Sequence, residues 1–86
     1  MNAKLCATVT GATTEELRAQ RDAVADVDMV EVRLDYAREL DVAGVLAGRR
    51  CPIIVTCRPM WEGGQFQGSE EERREVLTRA YRLGAD

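Results

Sequence analysis

The 86 residues of this chain allow one small domain, and its 45% apolar and 31% charged residues are typical of an ordinary soluble globular protein. A formal net charge of −3 without a basic patch argues against nucleic acid as a partner. No apolar run is long enough to cross a membrane, and the start Met1-Asn2-Ala3-Lys4 does not resemble a secretion signal. We therefore expect a cytoplasmic protein with no membrane partner.

Cysteine and histidine usage limits the chemistry. The chain has no histidine and three cysteines, Cys6, Cys51 and Cys57, with no C-x-x-C pair, so we expect no metal site. Cys6 and Cys57 fall within strand patterns, where a free cysteine is usually a small buried apolar residue. We interpret both cysteines in this way rather than as nucleophiles.

Strand and helix patterns alternate from the start of the chain. A strand is predicted over residues 5–10. After it, Thr13-x-x-Glu16 has the form of a capping box and begins a helix that runs to about Ala23. A second strand is predicted over residues 29–34, where apolar and charged residues alternate.

The same pattern continues in the second half. A helix is predicted over about residues 41–47, and a third strand over residues 53–58. A second capping box, Ser69-x-x-Glu72, begins the last helix. The order βαβαβα predicts the α/β class, with parallel strands joined by right-handed crossovers. The pattern is that of an unfinished barrel, because three parallel strands leave two edges unpaired and one charged face uncovered.

The loop over residues 59–68 contains Glu62-Gly63-Gly64, flanked by Trp61 and Phe66. Adjacent glycines allow positive φ and close approach of the backbone to a ligand, although flexible loops also contain them. The two aromatic residues either pack the loop down or close it over a site. We favour packing for both, because large aromatic side chains mostly serve burial.

Polar side chains share one face of the three predicted strands. Because side chains alternate along a strand, those on this face are Thr8, Glu31, Arg33, Thr56 and Arg58. Inside a barrel they would place two guanidinium groups beside one carboxylate, which could bind the hydroxyls or carboxylate of a small polar ligand. A structural ion-pair network or a solvated face explains the same pattern equally well.

Two motifs together resemble those of type I 3-dehydroquinate dehydratase. They are Glu31-Val32-Arg33-Leu34-Asp35 and Thr56-Cys57-Arg58-Pro59-x-Trp61-Glu62-Gly63-Gly64-Gln65. The ending Leu83-Gly84-Ala85-Asp86 is similar to the family's lead into its fourth strand. The second motif is most similar to the form found where this domain is fused to shikimate dehydrogenase. The resemblance implies that residues 1–86 are the first three βα units of a (β/α)8 TIM barrel, an incomplete N-terminal portion.

The resemblance also implies a function. Family members are lyases of the shikimate pathway, in aromatic amino-acid biosynthesis, and convert 3-dehydroquinate to 3-dehydroshikimate and water without a cofactor. A lysine forms a Schiff base with the substrate ketone, and a histidine moves the proton. Both residues lie further along the family sequence, and Lys4 matches the start of the first strand instead. We therefore expect the 86-residue chain alone to be inactive.

Site residues follow from the same resemblance. The residues that match substrate contacts of the family are Thr8, Glu31, Arg33 and Arg58. Glu62 matches a loop glutamate that supports the catalytic histidine, while Asp35 fits the motif and is interpreted as structural, paired with an arginine.

Two other interpretations remain open at this point. The chain could be a non-catalytic α/β module that self-associates through its open edges and charged face. It could instead be a stand-alone binding protein for small acids that uses Arg33 and Arg58. Whether the chain is a barrel fragment or an independent module, its open strand edges lead us to expect self-association.

Overall fold

Three parallel strands alternate with helices in the computed structural model, which describes residues 5–24 and 26–85. The predictions made for residues 1–4 and for Asp86 therefore concern positions outside the described residues. The elements in order are β1 (Cys6–Val9), α1 (Thr14–Ala23), β2 (Met29–Arg33), a 3₁₀ turn (Leu34–Tyr36), α2 (Val42–Leu46), β3 (Ile53–Thr56), a second 3₁₀ turn (Met60–Glu62) and α3 (Glu70–Arg82). The predicted βαβαβα order is confirmed.

The strands form one sheet in the order β1-β2-β3, with parallel pairing throughout. Thr8 pairs with Glu31, which pairs with Ile54 on the other side. β1 and β3 are the edge strands of this sheet in the described part of the chain. All three strands are shorter than predicted, because the backbone turns into a loop or a 3₁₀ turn at each carboxyl end.

The core lies between one face of the sheet and the helices. Its buried apolar residues include Val9, Val30, Val32 and Ile53 from the strands, and Leu17, Val45, Leu46 and Ala80 from the helices. α1 contacts β1 and β2, and α3 contacts β3, so both helices pack on the sheet. The alternate strand positions therefore face away from the helices, which leaves Thr8, Glu31 and Arg33 on the opposite face.

Side-chain caps define where two of the helices begin. Thr13 Oγ1 accepts the Glu16 N–H at 3.2 Å, but the Glu16 carboxylate accepts from the Ala12 N–H rather than from Thr13, so the first box is shifted by one residue. The capping box of α3 is confirmed, since the Ser69 hydroxyl accepts the Glu72 N–H and the Glu72 carboxylate accepts the Ser69 N–H. Among the described residues, no helix has both the length and the apolar character needed to cross a membrane.

α2 is a short helix whose carboxyl end is hydrogen-bonded to a buried arginine. Its apolar side chains Val42, Val45 and Leu46 are buried. The guanidinium of Arg21 on α1 donates to the carbonyl oxygens of Val45 and Ala47, both at 2.7 Å. These bonds satisfy carbonyl groups at the end of α2, which a helix of this length cannot pair internally.

The interpretation of both strand cysteines as buried residues is half right. Cys57 is buried, but Cys6 is exposed. Cys6 is two positions from Thr8 on β1, so both side chains lie on the face away from the helices. The prediction for Cys6 was wrong because it considered strand propensity without the face of the strand.

Candidate functional site

Thr8 and Glu31 form the centre of the polar face. They are opposite each other in the parallel register of β1 and β2. The Thr8 hydroxyl donates a hydrogen bond of 2.9 Å to Glu31 Oε1. The bond orients the Glu31 carboxylate, whose other oxygen is not part of this contact.

Arg33 lies two residues further along β2, at the strand's carboxyl end. Its Nε and Nη2 donate to the two carboxylate oxygens of Asp35, at 3.2 and 2.7 Å. This bond raises the pKa of the guanidinium above its usual range. The Tyr36 ring covers the guanidinium, with its centroid 4.9 Å from Cζ.

We expected the Glu31 carboxylate to lie beside the guanidinium groups of Arg33 and Arg58, and the ion pair that Arg33 makes is a different one. Arg33 pairs with Asp35, and the hydrogen bond to Glu31 comes from Thr8. The physical reason is that β2 ends at Arg33, and the 3₁₀ turn moves Asp35 off the strand's alternation. The predicted pairing of Asp35 with an arginine is confirmed.

Thr56 completes the row beside Arg33. The two residues are partners in the β2–β3 register. The Thr56 hydroxyl oxygen is buried and has no hydrogen-bond partner within the described residues. The hydroxyl adds a polar group to this face, next to Arg33 at the carboxyl end of β2.

Arg58 stands just past β3, at the start of residues 57–66, which we call the β3 loop. Its side chain is exposed, while its carbonyl oxygen accepts the Phe66 N–H at 3.2 Å. Gly64 packs directly against the backbone of Arg58, so there is no room for a Cβ at this position. The close approach that the adjacent glycines allow is therefore made by the chain itself, and Gly63 supplies the positive φ of 79° that ends the 3₁₀ turn.

Glu62 is exposed in that 3₁₀ turn, at the end of the sheet where the strands have their carboxyl ends. The two aromatic residues beside it differ. Phe66 packs against the core, as predicted, but Trp61 is 68% exposed, so packing is the wrong interpretation for Trp61. The loop is fixed by backbone bonds and Phe66, and its tip projects Trp61 outward.

Arg73 supports the strand end that carries Arg58. Its guanidinium donates to the Cys57 carbonyl oxygen at 3.0 Å and pairs with Glu70 at 2.6 Å. Burial, with a smaller contribution from the Asp35 carboxylate, raises the pKa of the Cys57 thiol to about 11. Sequence reasoning missed Arg73, because an arginine in the first turn of an exposed helix gives no signal of such a contact.

The β2 and β3 ends are joined by a residue whose second contact the sequence also missed. Asp35 Oδ2 accepts the backbone N–H of Gln65 at 3.0 Å, in addition to the Arg33 guanidinium. Burial tends to raise the pKa of this carboxyl, but the hydrogen bonds from Arg33 and from Gln65 outweigh it and hold the pKa below its usual range. The carboxylate is therefore ionised at neutral pH.

Chemically, this face offers one oriented carboxylate, the guanidinium of Arg33 and two hydroxyls, and the exposed Arg58 lies in the loop that follows β3. Carboxylates accept hydrogen bonds from ligand hydroxyls, and guanidinium groups donate to carboxylates and hydroxyls. Within the described residues, no cluster of three or more histidine, cysteine, aspartate or glutamate side chains is arranged to hold a metal ion.

Comparison with known proteins decides the family. The family model described as type I 3-dehydroquinase matches residues 5–86. The chain belongs to the type I 3-dehydroquinase family. The chain thus contributes three parallel βα units in a family whose fold is a TIM barrel, as the motifs implied.

Curated relatives are consistent with membership of the type I 3-dehydroquinase family. The chain is 34% identical to a 3-dehydroquinate dehydratase of Desulfotalea psychrophila over 82 residues, covering 95% of this chain and 36% of that protein. It is 39% identical to one of Methanopyrus kandleri over 82 residues, 87% of this chain and 38% of that protein.

A bifunctional relative is also similar to this 3-dehydroquinase chain. It is the chloroplastic 3-dehydroquinate dehydratase/shikimate dehydrogenase of Arabidopsis thaliana, 44% identical over 63 residues, which are 69% of this chain and 10% of that protein. The chain therefore spans slightly more than a third of the length of the two single-function relatives and a tenth of the bifunctional one.

Proposed function

We propose that this chain supplies part of the substrate site of a 3-dehydroquinate dehydratase, a lyase that converts 3-dehydroquinate to 3-dehydroshikimate and water in the shikimate pathway. The observation that carries the proposal is the hydrogen-bonded pair Thr8–Glu31 with Arg33 beyond it, on the sheet face away from the core, in a chain of this family. A charged row on the inner face of a barrel is costly unless it is paired or bound to a ligand.

The proposed roles follow from the chemistry of each group. Glu31, oriented by Thr8, accepts a hydrogen bond from a hydroxyl of the substrate ring. Arg33 and Arg58 donate to the hydroxyl or carboxylate oxygens of the substrate. Glu62, at the tip of the β3 loop, supports the histidine that moves the proton.

The reaction itself needs groups beyond these 86 residues. In this proposal a lysine forms the Schiff base, a histidine transfers the proton, and no cofactor takes part. The chain has no histidine, and its one lysine is Lys4, so the 86 residues alone bind part of the substrate without turning it over. The cytoplasmic location and the incomplete barrel over residues 1–86 belong to the same proposal, as does self-association of the isolated chain.

A chimeric barrel tests the site. Residues 5–86 of this chain would replace the matching segment of the Desulfotalea psychrophila relative, and dehydration would be followed by the absorbance of the conjugated product. We expect Glu31→Gln and Arg58→Ala each to lower kcat/KM by about tenfold or more, because each removes a charged hydrogen bond to the ligand. Matched controls are Glu71→Gln and Arg74→Ala, both on exposed positions of α3.

The outcomes separate the site from the fold. Control variants should keep the kinetics of the chimera, and all variants should keep its thermal midpoint within a few degrees. Unchanged kinetics in both Glu31→Gln and Arg58→Ala would contradict the assignment of this face to the substrate. Loss of activity in the controls as well would show that the substitutions act through stability.

A further inference from the structure

Asp35 is a buried carboxylate between two parts of the proposed site. Its side chain is fully buried, at 0% exposure, in the 3₁₀ turn that follows β2. Buried carboxylates are retained only where charged or hydrogen-bonding partners compensate for lost hydration. Here the partners come from β2 on one side and from the β3 loop on the other.

The first partner is the guanidinium of Arg33, held by two parallel bonds. Nε and Nη2 both donate to Asp35, so the guanidinium is fixed in its plane and in its rotation. Tyr36 covers one face of that plane. In a planar guanidinium, Nη1 is opposite the Nε–Nη2 edge, so the Asp35 bonds determine where Nη1 can donate.

The second partner is the N–H of Gln65, near the end of the β3 loop. Oδ2 accepts this N–H at 3.0 Å and an Nη2 hydrogen of Arg33 at 2.7 Å, so one oxygen bridges the two segments. The loop cannot absorb a shift locally. Gly64 packs against the Arg58 backbone, and the Phe66 N–H bonds the Arg58 carbonyl.

We propose that Asp35 is a positioning residue that fixes the Arg33 guanidinium and the β3 loop to each other, and so sets the spacing between Arg33, Arg58 and Glu62. This role rests on the proposed function, because it matters for turnover only if those residues meet the substrate or its histidine. Asp35 does not touch the ligand. It acts through Arg33 and through the backbone of the loop.

The first test measures the loop without any substrate. Amide hydrogen exchange is followed in the 86-residue chain and in the chimeric barrel, with β2 amides as the reference for folding. In Asp35→Asn, we expect exchange in the β3 loop to accelerate about tenfold, because the one remaining acceptor oxygen is uncharged and the NH2 group cannot accept from Arg33. Asp41→Asn is the matched control, since Asp41 is exposed and its side chain makes no cap bond to α2.

The second test asks whether Asp35 acts through Arg33. A double-mutant cycle in the chimera compares Asp35→Asn, Arg33→Ala and the double variant by kcat/KM. We expect Asp35→Asn to lose about tenfold in the parent background and a smaller factor in Arg33→Ala, because the guanidinium it orients is then gone while its bond to the Gln65 N–H remains.

The results distinguish this inference from the proposed function. If loop exchange is faster in Asp35→Asn but Arg33→Ala has no kinetic effect, Asp35 still positions the β3 loop. Arg33 is then not part of the substrate site. Unchanged loop exchange in Asp35→Asn would overturn the positioning role. Losses that simply add in the double variant would overturn the part of the role that runs through Arg33, because Asp35→Asn would then weaken the enzyme equally with and without that guanidinium.

Discussion

The guanidinium of Arg21 donates a hydrogen bond of 2.7 Å to the carbonyl oxygen of Val45, so a charge on α1 completes the end of α2 inside the protein. Arg21 is 5% exposed, although it lies on a helix rich in charged residues. The same nitrogen also donates to the Ala47 carbonyl. α1 and α2 are thus joined by hydrogen bonds as well as by apolar contact.

Replacing this arginine should destabilise the chain. We expect Arg21→Met to lower the free energy of unfolding by about 1–3 kcal/mol, because it leaves buried carbonyl groups unpaired while keeping much of the side-chain volume. Urea unfolding at a fixed protein concentration measures the change. Arg18→Met, at an exposed position one turn earlier, is the control and should cost no more than about 0.5 kcal/mol. An equal cost for the two variants would show that the carbonyl bonds contribute nothing.

The two adjacent glycines of the β3 loop should respond differently to alanine. We expect Gly64→Ala to cost about 3 kcal/mol or more, because its Cβ would overlap the Arg58 backbone, which cannot rotate away. Gly63→Ala has open space and only the strain of φ 79°, about 1–2 kcal/mol. Emission from Trp61, the one tryptophan of the chain, should shift in Gly64→Ala but not in Gly63→Ala. The reverse order of effects would contradict the packing of this loop.

Thiol labelling should separate the exposed from the buried cysteine. At pH 8 we expect iodoacetamide to modify Cys6 rapidly and Cys57 hardly at all. Cys57 is 3% exposed, and burial raises its pKa to about 11, so only about a thousandth of it is thiolate at that pH. Peptide mass spectrometry locates the label, and a sample in concentrated urea should be labelled at all three cysteines. Equal labelling rates for Cys6 and Cys57 without urea would contradict the burial of Cys57.

Asp35 should make the chain sensitive to acid. Its pKa is lower in the folded chain than the ordinary value of 3.8, so the folded state binds this proton less readily than the unfolded state. The stabilisation is therefore complete above the ordinary pKa and is lost as the pH falls through the folded value. We expect the free energy of unfolding to fall less steeply from about pH 5 to about pH 3 in Asp35→Asn than in the parent chain. Parallel curves for the two proteins would exclude this contribution.

Local patterns in the sequence predicted the elements and their order. Alternation over residues 29–34 predicts β2, and the Ser69–Glu72 capping box predicts the start of α3, because both signals depend on neighbours in the chain. The polar row of Thr8, Glu31 and Arg33 was predictable for the same reason. The exposed position of Cys6 was also predictable, since Cys6 is two residues before Thr8 on β1 and its side chain therefore lies on the same face of the sheet.

Contacts between distant residues explain what the sequence did not predict. The Asp35–Gln65 bond joins residues 30 apart, and the bonds from Arg21 reach 24 and 26 residues along the chain. Neither residue type indicates such a partner, because most aspartates and arginines are solvated. Arg33 pairs with Asp35 because β2 ends at Arg33 and the chain turns there into the 3₁₀ helix. No local sequence pattern fixes the residue at which β2 ends.

The last prediction concerns the physical state of the isolated chain. β1 and β3 are the edge strands of the described sheet, and their outer edges offer backbone groups for pairing with another copy. Exposed apolar side chains elsewhere offer further surface for association, with Tyr81 77% and Leu5 58% exposed. A domain of this size buries only roughly 60% of its unfolded surface, so little stability is in reserve. We therefore expect self-association at low micromolar concentration.

Light scattering over a dilution series tests this expectation. The samples need a reducing agent, because the exposed Cys6 could otherwise join two copies through a disulfide. We expect a mass of at least twice 9.6 kDa that falls on dilution, together with a thermal midpoint that rises with concentration. A compact monomer of constant mass with a cooperative thermal transition would contradict the prediction. It would show that three βα units are self-sufficient, and it would favour an independent binding module over a piece of a barrel.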